Sequence, residues 1–279
     1  MSDERDELIA HWDTMAGGWK ATRENFQSAM EPVSQWLVEA IHPQPGHRVL
    51  ELAAGLGDTG LLAAQLVAPG GSVLITDGSD NMVAAAREHA EEVGATNVEL
   101  RSMQAEWIDL PTASVDAVIC RFGYMLLLDP EAALRETRRV LKPGGRVALA
   151  VWDELDHNPW MKVLREALMA RGLTSSAVPD GPGPFSLASE ERLRELLATA
   201  GFEDIEVSPM DLVMGAASLD AWWDQVMQTS ITTASLVRGL APAEHYQLRD
   251  LVDAGYSRYV RDDGTLEAPA RVLIAAAAA

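Results

Sequence analysis

Two carboxylates and a pair of glycines are the residues best suited to chemistry in this chain. Glu51 lies near the end of the apolar run Val49-Leu50-Glu51-Leu52, which breaks into Ala53-Ala54-Gly55-Leu56-Gly57-Asp58-Thr59-Gly60 and resumes as the helix-period stretch Leu61–Val67. That pattern predicts a buried strand, a tight turn and a helix. Glycines at such a turn let backbone approach a ligand closely, and the helix start behind them offers unpaired N–H groups at a positive dipole end. A nucleotide-like or carboxylate-bearing ligand end fits there. Asp77, at the end of the second predicted strand, can accept hydrogen bonds from both hydroxyls of a ribose. Gly55-x-Gly57-x-x-Gly60 also satisfies the dinucleotide fingerprint, so turn and acid together leave a nicotinamide or flavin cofactor and another adenosine-containing ligand both open.

Three further features separate those readings. A carboxylate at Glu51, upstream of the glycines, suits a ligand that carries an ammonium group and is unhelpful beside a pyrophosphate. Gln104-Ala105-Glu106-Trp107 closes the third predicted strand with polar groups able to read an adenine edge beside an aromatic wall. Arg138-Arg139-Val140-Leu141-Lys142-Pro143-Gly144-Gly145-Arg146-Val147 reads as a helix end, a glycine turn and a fresh strand.

The elements that must hold these residues follow from periodicity. Residues 3–44 read as helical, with Trp12, Met15, Trp19, Phe26 and Met30 on one face, either packed on the next domain or forming a lid over a cofactor. From Arg48 to about Asp153 short aliphatic runs alternate with helix-period segments, the pattern of a parallel sheet covered by helices. Strands are expected at 48–53, 72–77, 97–103, 115–121 and 145–152, with helices at 58–68, 80–93 and 130–141. Right-handed crossovers then wind the sheet both ways from the first strand and leave a crevice at the strands' carboxyl ends. Beyond it, Asn158–Arg171 and Ser189–Ala200 read as helices, separated by the loop Gly172–Phe185 with its Pro179-Asp180-Gly181-Pro182-Gly183-Pro184 run. Strand-like runs near 203–214 and 265–275 flank a helical block at 218–260, an insertion over the crevice, and Ala275–Ala279 reads as a frayed end. The organisation is therefore a lid at 1–45, a core at 46–215 and 263–279, and a helical substrate cap at 216–262.

Composition narrows the class of function. A hydrophobic content of 48% is ample for a packed core, and Lys+Arg 22 against Asp+Glu 42 gives a formal charge of −20. Such a surface repels phosphate backbones and anionic lipid, so nucleic acid is not the expected partner. The acidic start Met1–Glu7 is not a secretory signal, no stretch has the length of a membrane span, and the single Cys120 fits a reducing cytoplasm. A homo-oligomer stays open.

In combination, the motifs between about 48 and 153 resemble the class I S-adenosylmethionine-dependent methyltransferases, in the branch with the ubiquinone/menaquinone-biosynthesis methyltransferases and many small-molecule enzymes. Glu51-Leu52-Ala53-Ala54-Gly55-Leu56-Gly57 supplies the acidic-x-x-x-Gly-x-Gly motif, with Ala53 and Ala54 where Gly and Cys are usual. That substitution demands an ordinary backbone at Ala53. The resemblance implies a Rossmann-like, seven-stranded α/β fold with an antiparallel last strand, and S-adenosyl-L-methionine as cofactor. It makes Asp77, followed by Gly78, the ribose acid and Met82 the apolar residue against the adenine. Gln104 stands where the family often has Asp, with Ala105 and Glu106 beside it. His11-Trp12-Asp13-x-x-Ala16-x-x-Trp19 resembles the helix that closes over the methionine part, and Arg121-Phe122-Gly123-Tyr124 the segment lining the methyl-transfer chamber. Gly55 and Gly57 then cradle the methionine end, and Gly60 merely eases packing of the following helix.

Methyl transfer from a sulfonium is an in-line displacement in which positioning and exclusion of water supply much of the acceleration. Where a general base helps, His157, in Asp153-Glu154-Leu155-Asp156-His157, and His11 are the leading candidates, with His245 a third. His42, His47 and His89 read as solvated, and the Asp153/Asp156/His157 cluster as an acidic loop with no metal expected. Cys120 reads as a small buried hydrophobe. Arg121 needs an anionic partner: the cofactor carboxylate, Glu51, Asp77 or an acidic substrate. Tyr124, Trp160, Trp222, Trp223 and Tyr246 are candidates to face a small-molecule acceptor, with core packing the competing role for the tryptophans. A nicotinamide-dependent oxidoreductase and a non-catalytic S-adenosylmethionine-binding regulator remain the rival functions.

Overall fold

The computed structural model describes residues 2–175 and 181–279; of the loop expected at Gly172–Phe185, residues 176–180 lie outside the described residues. Alternating aliphatic and helix-period segments give β1 (Arg48–Glu51), α2 (Asp58–Val67), β2 (Ser72–Asp77), α3 (Asp80–Glu92), β3 (Val98–Ser102), β4 (Val115–Arg121), α4 (Pro130–Val140) and β5 (Leu141–Trp152). Before them runs one helix, α1 (Ser2–Ala40). After them come α5 (Pro159–Ala170), α6 (Glu190–Thr199), β6 (Glu203–Ala216), α7 (Leu219–Thr229), α8 (Ile231–Arg238), α9 (Pro242–Tyr256) and β7 (Leu266–Ala278). Short polar side chains start the helices as read from the sequence: Ser79 caps α3, Asp129 caps α4 and Ser189 caps α6 through side-chain oxygens.

Among the described residues the strands form one seven-stranded sheet in the order β3-β2-β1-β4-β5-β7-β6. Strands β1 to β5 are parallel, and β7 inserts between β5 and β6, antiparallel to both. Order reverses at β1 and β4, which puts the crevice outside the ends of those two strands. Central strand residues such as Val49, Leu50, Val118 and Ile119 are fully buried because helices cover both faces. A second cluster joins α5, α7 and α9 to the start of β7 through Val163, Leu168, Trp222, Leu248, Val252 and Leu266.

The alanine tail departs from its expected frayed state. Ala275 pairs with Leu149 on one side and Val207 on the other, and Ala275–Ala277 are buried. Alanine has little intrinsic strand preference, but a strand paired on both sides and covered on both faces rewards small side chains that let helices approach.

Candidate functional site

The chain leaves β1 through three left-handed residues within five: Ala53 at φ 48°, Gly55 at φ 55° and Gly57 at φ 76°. Glycine adopts that conformation without a Cβ clash. Ala53 does not, so the ordinary backbone expected there is overturned. Phe122, at the end of β4, is likewise left-handed at φ 62°. The two turns touch, for a Cβ on Gly123 would fall 2.5 Å from Ala53 Cβ. Ala53 and Phe122 put backbone strain on two adjoining strand ends, and such strain persists only where surrounding contacts impose it.

Asp77 pins the turn. Its Oδ2 accepts the Gly55 N–H at 2.8 Å and its Oδ1 accepts the Ser79 N–H at 2.9 Å. Burial raises its pKa above the ordinary value, opposed by those two N–H groups and reinforced by nearby Asp13. Each carboxylate oxygen keeps a further lone pair for a ligand hydroxyl.

Glu51 is 2% exposed, and its Oε2 has no hydrogen-bond partner. Burial pushes its carboxyl up to about 8, offset in part by Arg121 and by the Gly60 N–H. A Cβ on Gly60 would sit 2.2 Å from Glu51 Oε2, so Gly60 is glycine because the carboxylate lies against it. The expected role of Gly60 in packing the following helix holds as well, since the same Cβ would lie 2.9 Å from Ile75 Cγ1 of β2.

Helix α1 lies across this turn. Trp12, Ala16 and Trp19 pack with Leu56 and Met82, so the two tryptophans rest on the glycine turn and the start of α3. Asp13 Oδ1 accepts from Ser79 Oγ at 2.5 Å and from the Asn81 N–H at 3.2 Å. Gly78 lies beside Ile9 of the same helix. Arg121 is tied to α1 and faces two acids: it donates to Gln27 Oε1 at 2.8 Å and Ser34 Oγ at 2.7 Å, Asp58 lies 3.8 Å away, and its charge acts on Glu51.

His89 was expected to be solvated and is instead buried under the turn. Its Nδ1–H donates to the Leu56 carbonyl at 3.1 Å, Nε2 accepts from Arg23 of α1, and Asp58 Oδ1 lies 3.6 Å away. Arg23 also donates to Asp58 at 2.8 Å. The position of His89 in the last turn of α3 carries no sign of this clasp, whose partners lie 33 and 66 residues away.

On the β3 side, Gln104 is partly exposed, Ala105 is buried, and Glu106 lies 3.5 Å from Arg5 of α1. Trp107 is 79% exposed and forms no wall for an adenine.

On the other side of the crevice Phe122 stacks on Trp152, with centroids 4.7 Å apart and planes 8° apart, and Trp152 meets Trp160 at 4.9 Å. Trp222 and Trp223 form the second core, with Tyr256 4.4 Å from Trp222, while Tyr246 is 71% exposed on the outside of α9. Tyr124 is fully buried and its hydroxyl is spent on Thr137 Oγ1 at 2.6 Å. The structure therefore brings Trp160 to the crevice wall and leaves Tyr124 in the core.

His157 Nδ1 bonds Asp153 Oδ2 at 2.8 Å. Asp153 lies in register with Arg271 of β7, which pairs with Asp211 of β6, on the face opposite Trp152. Asn158, a residue the sequence did not single out, is fully buried and ties this turn down through Asp153, Glu154 and Arg271 backbone groups. His11 stands edge-on to Trp12 at 5.9 Å.

Comparison with known proteins agrees with this geometry. Residues 52–149 match a family model described as a methyltransferase domain. The ubiquinone/menaquinone biosynthesis C-methyltransferase of Pasteurella multocida is 27% identical over 226 residues, covering 80% of this chain and 80% of that protein. Its namesake in Pseudomonas putida is 29% identical over 211 residues, covering 75% and 78%. The crystal structure of YcgJ from Bacillus subtilis superposes with a TM-score of 0.60 at 18% identity, covering 88% of this chain and 97% of that one, a likeness of fold. Phosphoethanolamine N-methyltransferase 2 of Haemonchus contortus gives 0.56 at 19%, covering 93% and 57%. Residues 52–149 thus match a methyltransferase domain, and over most of its length the chain is similar to ubiquinone/menaquinone-biosynthesis C-methyltransferases and shares the fold of S-adenosylmethionine-dependent methyltransferases.

Proposed function

We propose that the protein transfers the methyl group of S-adenosyl-L-methionine to a ring-bearing, largely apolar small molecule, with carbon as the accepting atom. One observation carries the cofactor assignment: Glu51 Oε2 is buried without a partner behind a glycine turn. An orphaned buried carboxylate oxygen is costly unless a ligand completes it, and an ammonium group does so. The cofactor fits the rest of the set: Gly55 and Gly57 with Ala53 beside the methionine end, Asp77 and Gly78 at the ribose, and Met82 against the adenine. Gln104, Ala105 and Glu106 take its edge, and Trp19, Arg121 and Phe122 bound the methionine side.

The bound sulfonium supplies an electrophilic methyl. The chain's own groups orient it, exclude water and present the acceptor in line. The aromatic wall of Phe122 stacked on Trp152, with Trp160 tilted at 56° beside it, supports a flat acceptor, because ring–ring contact adds to area burial. The names of the curated relatives support carbon as the nucleophile. The two base candidates are His11, edge-on to Trp12 on the lid helix, and His157, bonded to Asp153 just beyond β5. Trp222 and Trp223 build the core of the cap, and Tyr246 lies exposed on its outer surface. The single buried cysteine supports a cytoplasmic setting.

The test is a thermal-shift comparison followed by turnover. S-adenosylhomocysteine should raise the melting temperature and NAD(H) should not, and labelled methyl should pass from S-adenosylmethionine to members of a quinol and phenol panel. A shift with NAD(H) alone would overturn the cofactor assignment. Homocysteine-form binding with no transfer to any ring acceptor would overturn the acceptor class.

A further inference from the structure

Helix α1 meets the cofactor-side loop through one carboxylate. Asp13 Oδ1 accepts from Ser79 Oγ at 2.5 Å and from the Asn81 N–H at 3.2 Å, and the Asp13 carbonyl accepts from Asn81 Nδ2 at 3.1 Å. Ser79 is a hub. Its Oγ also accepts the Met82 N–H at 3.1 Å as the cap of α3, and its own N–H donates to Asp77 Oδ1 at 2.9 Å. The other oxygen of Asp77 accepts the Gly55 N–H at 2.8 Å. Hydrogen bonds thus run unbroken from α1 through Ser79 and Asp77 to the glycine turn.

Asp13 holds this place although it repels Asp77, whose pKa it raises. What offsets the repulsion is the amino end of α3, where free N–H groups and the helix dipole favour a negative charge. The neighbours of Asp13 on α1 explain what the contact achieves. Trp12 and Trp19 lie on Leu56 and Met82, so the helix anchored at Asp13 carries both rings onto the glycine turn and the start of α3. Trp19 Nε1 is buried there without a partner.

We propose that Asp13 is a positioning residue that fastens α1 to the ribose-binding loop, so that docking of this helix controls how fast the adenosyl cofactor escapes. The proposal rests on the cofactor reading above. Release of ligand from under α1 then requires the Asp13 bonds to Ser79 and Asn81 to break. Asparagine keeps an oxygen that accepts from the Ser79 hydroxyl and the Asn81 N–H, whereas alanine keeps none.

The experiment is stopped-flow dissociation of S-adenosylhomocysteine, followed by tryptophan fluorescence, in wild type, Asp13→Ala and Asp13→Asn. Loss of the acceptor for Ser79 and Asn81 should speed release about tenfold in Asp13→Ala, while Asp13→Asn, which keeps that acceptor and is free of the repulsion from Asp77, stays within about twofold of wild type. Wild-type release rates in Asp13→Ala overturn the proposal, as does equal acceleration in both variants, which would point to charge alone. Failure of the wild type to bind S-adenosylhomocysteine would instead remove the cofactor reading. Should Asp13→Ala not fold, hydrogen exchange of wild-type α1 decides: amides around Asp13 should gain protection with S-adenosylhomocysteine, and unchanged exchange overturns the proposal.

Discussion

The Glu51 carboxylate and the Gly60 backbone occupy adjoining space, with 2.2 Å between Oε2 and the point where a Gly60 side chain would begin. Ile75 Cγ1 closes the other side at 2.9 Å. Neither neighbour has room to yield, because Glu51 and Ile75 are both buried in paired strands. Gly60→Ala should therefore lower stability by about 1–3 kcal/mol, as overpacking of a filled interior does, and weaken S-adenosylhomocysteine binding by displacing the carboxylate. Urea denaturation and calorimetry of the variant check both effects.

Glu51 should also leave a pH signature. Its carboxyl titrates near 8 in the folded chain against an ordinary 4.5, so between those values the folded form holds a proton that the unfolded form releases. The stability from this group is complete below about pH 4.5 and is lost as pH rises towards about 8. Glu51→Gln carries no charge at any pH, so its melting temperature should gain on wild type across that window. Binding an ammonium group favours the ionised carboxylate, so wild-type affinity should rise with pH up to about 8 with proton release at pH 7. Calorimetry in buffers of different ionisation enthalpy would detect that proton, and its absence would contradict the pairing.

Ala53 at φ 48° offers a test of backbone strain. A left-handed non-glycine residue costs about 1–2 kcal/mol, and glycine returns about 0.4–1 kcal/mol of that through a more disordered unfolded chain. Ala53→Gly should be stabilising by roughly 0.5–1 kcal/mol. A lower denaturation midpoint in this variant would mean that the Ala53 methyl makes a packing contact worth more than the strain.

Tyr124→Phe separates core from chamber. Its hydroxyl donates to Thr137 Oγ1, whose own proton goes to the Ala133 carbonyl at 2.8 Å. Removal leaves one acceptor unpaired and should cost about 1 kcal/mol of stability. Ligand affinity and turnover should not change. A selective loss of turnover at unchanged stability would return Tyr124 to the acceptor site.

Local pattern in the sequence suffices for the sheet and its principal turn. Aliphatic runs alternating with helix-period segments specify a parallel sheet through local pattern, and Gly55, Gly57 and Asp77 are legible because turn chemistry and strand ends are local properties. Strand bounds agree to within a few residues, except that β5 begins at Leu141 and β7 runs on through the alanines. Tertiary structure alone decided which side chains meet across the chain. His89 looks like a polar helix residue until Arg23 and the Leu56 carbonyl arrive from distant segments, and Gly60 looks incidental until Glu51 is folded against it. Ala53 is left-handed beside the turn that ends β4, Tyr124 is buried with its hydroxyl on Thr137, and Trp107 is left outside. The reason is common to all of them. Periodicity reports which face of an element is apolar, whereas the partner of a single polar group or the strain at a single residue is set by segments far away in the chain, brought together only when the sheet closes under α1.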